Sequence, residues 1–284
     1  MDVDGFRALV ERSAQETVTK EERVDWLEER LSRLTAEEIV DYEAWFTLCA
    51  NRACTWDLYA ACWTITGFGS SAGFEYFVDW LISLGRDVFE KITERPDRLV
   101  ELPEVQRLFE LSRNFSHRRI SASEDGAVRL VRLTRVRRQR WPDELWPEFE
   151  SFAYVACQAY ERVMGDDTAH PGEAVQARGI TSVFPFLSHL AEPEDEPWDF
   201  SDRAEYTRRL PGLARRYGIT DEPQEHDKPS PARTRRTPWP YGPAWGGERT
   251  RAWSFHRKAS GGRRTRERRH RQADRWCSAQ YGRQ

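Results

Sequence analysis

Between Thr55 and Arg86 the chain reads TWDLYAACWTITGFGSSAGFEYFVDWLISLGR, two aromatic-rich helical patterns that meet at a glycine- and serine-rich turn. Few folds accept such a stretch. Trp56, Tyr59, Ala60, Trp63 and Ile65 make the first pattern apolar nearly all round, which predicts a central helix covered on most sides. Gly67, Gly69 and Gly73 break it, and Phe74, Phe77, Val78, Leu81 and Ile82 resume the 3.6-residue period. Gly85 stands where a left-handed terminating residue belongs, and Asp87 restarts a helix that ends before Pro96.

The residues ahead of this stretch predict short helices with legible starts. Asp4 precedes the apolar face Phe6, Leu9, Val10 and Ala14. Thr19 with Glu22, and Thr35 with Glu38, have the spacing of capping boxes, in which side chain and backbone satisfy each other's donors. Tight links between helices of three to four turns predict an all-α fold, a compact multi-helix bundle or a helical-repeat-like stack. Pattern returns at Pro147, which suits a first helical position, and runs to a terminating Gly165. A further segment, Ser201 to Tyr217, is interrupted by Pro211.

Two segments break the pattern. Arg113 to Arg140 holds nine basic and two acidic residues and reads as an irregular Arg-rich insert, with one short alternation near Val128 suited to a strand. From Asp221 the chain turns to Pro, Gly, Arg and Trp, and the last 59 residues contain no Leu, Ile or Val. With so little to offset the entropy of ordering, 221–284 reads as a disordered basic tail behind a single helical domain, 1–220. His226 to Gln284 carries a net +12, so the overall charge of −3 hides a body of −15. The tail has two readings: a segment that binds polyanions non-specifically, or a high-GC coding region read out of frame. Comparison of the coding DNA across frames separates them.

No run approaches the roughly 18 apolar residues that span a bilayer, and the start MDVDGF is acidic where a signal peptide is basic. The expectation is a cytoplasmic protein with no membrane association. Five cysteines, an odd set in largely apolar helical contexts, read as reduced and buried thiols.

The pieces Trp56-Asp57-Leu58, Gly73-Phe74-Glu75-Tyr76-Phe77, Trp80-Leu81-Ile82 and Gly85-Arg86-Asp87-Val88-Phe89-Glu90 resemble the bacterial family known as domain of unknown function 4240. Pro147 to Gly165 and Trp198 to Tyr217 are similar to that family's C-terminal half. The resemblance covers roughly residues 1–112 and 141–218. It implies a compact helical domain in a soluble bacterial protein, often from a high-GC actinobacterium, and brings no established activity.

Several constellations invite chemistry. Glu75 and Asp79 lie four apart on one helix face with Arg86 two turns beyond, a set that fits acid and base roles with an arginine orienting an anionic substrate, as in a hydrolase. The ordinary reading is a solvated face opposite Phe74, Phe77 and Leu81, or pairing with Arg52 or Arg86. GFGSSAG precedes a helix N-terminus but lacks a phosphate-loop lysine, so it reads as a glycine turn with Ser71 as cap. Trp26, Trp45, Trp56, Trp63 and Trp80 at helical spacing read as core before aromatic cage. Cys49, Cys54 and Cys62 match no zinc spacing, and His170 and His189 read as loop residues with nothing to place either beside a cysteine. No metal, cofactor or catalytic set is expected. The chain reads as a non-enzymatic binding or regulatory module acting through protein–protein contact, with Trp56, Asp57, Glu75, Asp79, Trp80 and Arg86 as its binding residues. The alternatives are the hydrolase-like enzyme and nucleic-acid binding through the tail.

Overall fold

Side-chain caps set the helix starts in the computed structural model of the protein, which describes residues 1–67, 70–112, 121–122, 128–129, 143–166, 168–184, 193 and 195–219. Helix α1 (Val3–Glu16) begins at Asp2, two residues ahead of Asp4, because Asp2 accepts from the Gly5 N–H at 2.8 Å. Helices α2 (Lys20–Leu31) and α3 (Ala36–Ala53) carry the two expected capping boxes. Each such cap stabilises its helix by about 0.5–2 kcal/mol. Thr55 opens α4 (Trp56–Thr66), and Gly67 closes it in the left-handed conformation, φ 76°. Ser70, one residue before the expected Ser71, caps α5 (Ser71–Ser83) by accepting from Gly73.

Gly85 departs from expectation in kind. Leu84 ends α5 in ordinary helical geometry, and Gly85 instead precedes α6 (Arg86–Glu94) with φ 92° and ψ 173°. That backbone excludes most side chains, and a Cβ would meet Glu11 Cγ at 3.2 Å.

A 3₁₀ turn, Pro96–Glu101, leads into α7 (Pro103–Ser112). A two-residue antiparallel ladder pairs β1 (Ser121–Ala122) with β2 (Val128–Arg129). Helices α8 (Glu150–Ala153), α9 (Val155–Met164), α10 (Pro171–Ala177), α11 (Arg203–Arg209) and α12 (Pro211–Tyr217) complete an all-α architecture. Pro147 is not a first helical residue. The Phe149 N–H donates to the Tyr76 carbonyl at 2.9 Å, which docks the chain on α5 and delays the helix to Glu150. Apart from the ladder, the insert 113–140 lies outside the described residues, as does the tail 221–284. All described residues belong to one compact unit, Met1–Ala232. Among them no helix is long and apolar enough to cross a membrane.

α3 and α5 are the most enclosed helices. α3 packs on α1, α5, α9 and α10, and α5 on α1, α3, α4, α6 and α8. Phe74, Phe77, Leu81, Leu58, Ile39 and Phe152 are fully buried there, each contributing about 1.5–3 kcal/mol of transfer free energy.

The later helices are stitched to the earlier ones by polar contacts at helix starts. Asp97 accepts from the Gly212 and Leu213 N–H groups, both at 2.9 Å, so the 3₁₀ turn caps α12. Asp195 accepts from the Trp56 N–H at the start of α4, and Glu144 from the Lys20 N–H at the start of α2. Asn51 exchanges two bonds with the backbone of Thr181 and Val183. Each places a carboxylate or amide on helix-end or loop groups that would otherwise lack a partner.

Candidate functional site

α5 has almost no polar face. Phe74, Phe77, Val78, Trp80, Leu81 and Ile82 are buried around its circumference, and Asp79 is buried with them at 2% exposure. The expected solvated face is therefore absent. The pairing expected as its substitute is absent too: Arg52 bridges Glu90 at 2.6 Å, and Arg86, exposed at the start of α6, sits 3.6 Å from Asp4.

What surrounds Asp79 is other acid. Glu75 lies one turn earlier, Glu43 comes from α3 and Glu150 from α8, and all three disfavour its ionisation. No protein group donates to Asp79 Oδ2 or Glu43 Oε2, and both oxygens are sealed from solvent. Burial first, then Glu75, Glu43 and Glu150, hold the Asp79 carboxyl well above the usual range. Burial, with Glu150 adding to it, pushes Glu75 to about 7, and burial alone does the same to Glu43. Burial and its acidic neighbours thus favour the neutral form of Asp79, and Glu75 and Glu43 titrate near 7. Glu150 has one donor, the Tyr76 hydroxyl, at 2.9 Å.

At the start of α4 the half-buried Trp56 packs edge-on against Phe200 and tilted against Tyr59, each at 6.3 Å. Both Asp195 oxygens face its N–H, at 3.1 and 3.0 Å. Asp57 bridges Arg209 of α11 at 3.2 Å. Between this point and the carboxyl cluster, the buried Cys54 thiol is pushed to about 12 by burial and by the charges of Asp195 and Glu75. Trp56 and Asp57 thus stand with Asp195 and Arg209 at the start of α4, while Glu75 and Asp79 belong to the carboxyl cluster. Trp80, 4% exposed, is core against Phe77 at 5.2 Å, and Arg86 stands apart.

The tryptophans form no common cage. Trp63 packs edge-on against Tyr59 and Phe200, whereas Trp26 lies between the guanidinium groups of Arg12 and Arg30 and donates to Glu16. Among the described residues no group of three His, Cys, Asp or Glu side chains is disposed to hold a metal ion.

Three participants were not read from the sequence. Glu43 and Glu150 each sit between aromatic or apolar neighbours, in DYEAWF and FESF, a signal that such an acid is enclosed. His170 is half-buried, caps α10 by accepting the Gly172 N–H at Nδ1, and places Nε2 3.2 Å from Cys157 Sγ. It is a cap as well as a loop residue, and it does meet a cysteine. His189 lies outside the described residues.

A family model described as a protein of unknown function, DUF4240, matches residues 1–162, more than half of the chain. The chain belongs to the DUF4240 family. No curated protein and no solved structure matches it. The DUF4240 match spans all four clustered carboxylates, Glu43, Glu75, Asp79 and Glu150. It stops short of Asp195 and of Arg209, and the expected similarity of Trp198 to Tyr217 to the family's C-terminal half lies outside it.

Proposed function

We propose that this DUF4240 chain is a non-enzymatic binding or regulatory module that acts through protein–protein contact, built as one helical domain over 1–220 in a cytoplasmic bacterial setting. The observation that carries this reading is the enclosure of Asp79: 2% exposed, with no donor to Oδ2 and only carboxylates acting on it. A catalytic acid or base must reach a substrate proton, and Asp79 reaches none from outside. The half-exposed Trp56 and Asp57 at the start of α4, with Glu75 behind them as a group near half-ionised at pH 7, offer an aromatic anchor beside a carboxylate, a combination suited to a basic partner.

The hydrolase-like reading has one observation in its favour, the rise of Glu75 and Glu43 to about 7, where acid–base groups are effective. Against it stands Arg86, paired with Asp4 instead of facing Glu75.

The test is capture of partners by the full-length chain, followed by titration with the purified partner. Trp56→Ala and Glu75→Gln are expected to weaken saturable binding at least tenfold. No saturable partner, or one that binds both variants as well as the parent, contradicts the reading.

A further inference from the structure

We propose that α8 is a strap held over α5 across an interface of carboxyl groups, and that charging those groups frees it. The inference stands whatever the domain binds. Four residues of helix cannot hold themselves, so α8 depends on its attachments. Phe149 N–H donates to the Tyr76 carbonyl and the Tyr76 hydroxyl to Glu150 Oε1, both at 2.9 Å. The approach to α8 is tied to α2, because Lys20 Nζ donates to the carbonyls of Trp146 and Glu148 at 2.7 and 2.9 Å. Phe149 and Phe152 anchor it in the core.

Across that interface Glu75 and Asp79 of α5 confront Glu150 of α8, and Glu43 of α3 also acts on Asp79. The orphaned Asp79 Oδ2 and Glu43 Oε2, buried and without a protein donor, mark the interface as built for neutral acids. The other groups supply little compensation. Tyr76 on α5, Cys157 on α9 and Cys54 and Cys62 flanking or within α4 are held protonated or pushed upward by burial and neighbouring acid, and Tyr154 after α8 adds to the rise of Tyr76. From α2, Arg23 is committed to Val10, Ser13 and Ser83 and acts on Tyr42, and Lys20 to the two carbonyls. From α1 and α6, Glu11 and Asp4 are engaged with Arg86, three residues beyond the end of α5. As pH rises through neutrality, charge accumulates on Glu75 and Glu43 beside Asp79. Repulsion at low dielectric then acts on Glu150, the member of the set carried by the shortest of the three helices.

The test is amide hydrogen exchange of the full chain between pH 5.5 and 8.5, with intrinsic rates corrected. Protection at Phe149 and Phe152 is expected to fall at least tenfold at the higher pH while α2 and α3 keep theirs. Glu75→Gln with Asp79→Asn should retain α8 protection at pH 8.5. Should that pair fail to fold, Asp79→Asn alone should raise α8 protection over the parent at pH 8.5. Unchanged protection across the range, a loss shared by all helices, or a parallel loss in the amide variants overturns the proposal. Partner capture at a single pH reads the binding proposal separately.

Discussion

The Tyr76 hydroxyl and Glu150 Oε1 lie 2.9 Å apart, joining α5 to α8 at the edge of the carboxyl cluster. Tyr76→Phe removes the donor and leaves the ring in place. The expected loss is about 1–3 kcal/mol, the cost of a half-buried acceptor left without its bond. A urea midpoint indistinguishable from the parent at pH 6 would contradict the assignment.

The pH dependence of stability should run opposite to that of ordinary paired carboxylates. Glu75 and Glu43 rise to about 7 on folding, so the folded state binds more protons than the unfolded one between about 4.3 and 7. Their stabilisation is complete below the unfolded value and is lost as pH rises through the folded one. Asp79, also raised on folding, adds a loss of the same sign. Glu101 and Glu205, drawn to about 2 by Lys91 with Arg98 and by Arg208 with Arg209, behave conversely and weaken the fold as pH falls below about 4.3. Urea unfolding from pH 3 to 9 should therefore show greatest stability near pH 5.

Arg23 is a half-buried cation at the edge of the core, brought down to about 10 by desolvation. It donates to Ser13 Oγ at 2.8 Å, to the Val10 carbonyl at 2.9 Å and to the Ser83 carbonyl at the negative end of α5, and it stacks on Phe152. Arg23→Met should cost about 3–5 kcal/mol by leaving these acceptors unpaired. Arg23→Lys keeps the charge but not the fork and should fall between. Equilibrium unfolding of the two variants checks the order.

Asp97 caps α12 from a distance of more than a hundred residues in sequence. Asp97→Ala should destabilise by about 1–2 kcal/mol and loosen α11 and α12 before the rest. Gly212→Ala tests the same contact from the other side, since its Cβ would sit 2.8 Å from Asp97 Oδ2. Proteolysis that cleaves first between 200 and 219 in both variants is the expected result.

Cys157 should be inert despite its histidine. Because Nδ1 accepts from Gly172, the hydrogen-bond geometry assigns the proton to Nε2, which faces the sulfur as a donor and not as a base. Burial and the charges of Glu43 and Glu161 hold the thiol protonated. Alkylation at pH 8 should leave Cys157 unmodified in the native protein and label it only on unfolding.

Local devices were legible in the sequence. Thr19 with Glu22 and Thr35 with Glu38 act within one turn, so their spacing announces them. Gly67 and Gly165 do the same for helix ends. Devices made by distant residues were not. Asp97 on α12, Asp195 on α4 and Glu144 on α2 occupy the role of a cap without any fixed spacing. Asp79 is the instructive case. Val78, Trp80, Leu81 and Ile82 leave α5 no polar face, the same all-round apolarity that marked α4 as central. The i, i+4 spacing with Glu75 points the acid to solvent only when it is read apart from those neighbours.

Asp79 should titrate well above the ordinary carboxylate range inside the fold. Carboxyl-carbon NMR titration of the full chain, with Asp79→Asn to assign the resonance, measures this directly. The expected result is an Asp79 midpoint raised well above the ordinary range beside a Glu75 midpoint near 7. Midpoints for both in the ordinary range near 4 would contradict it.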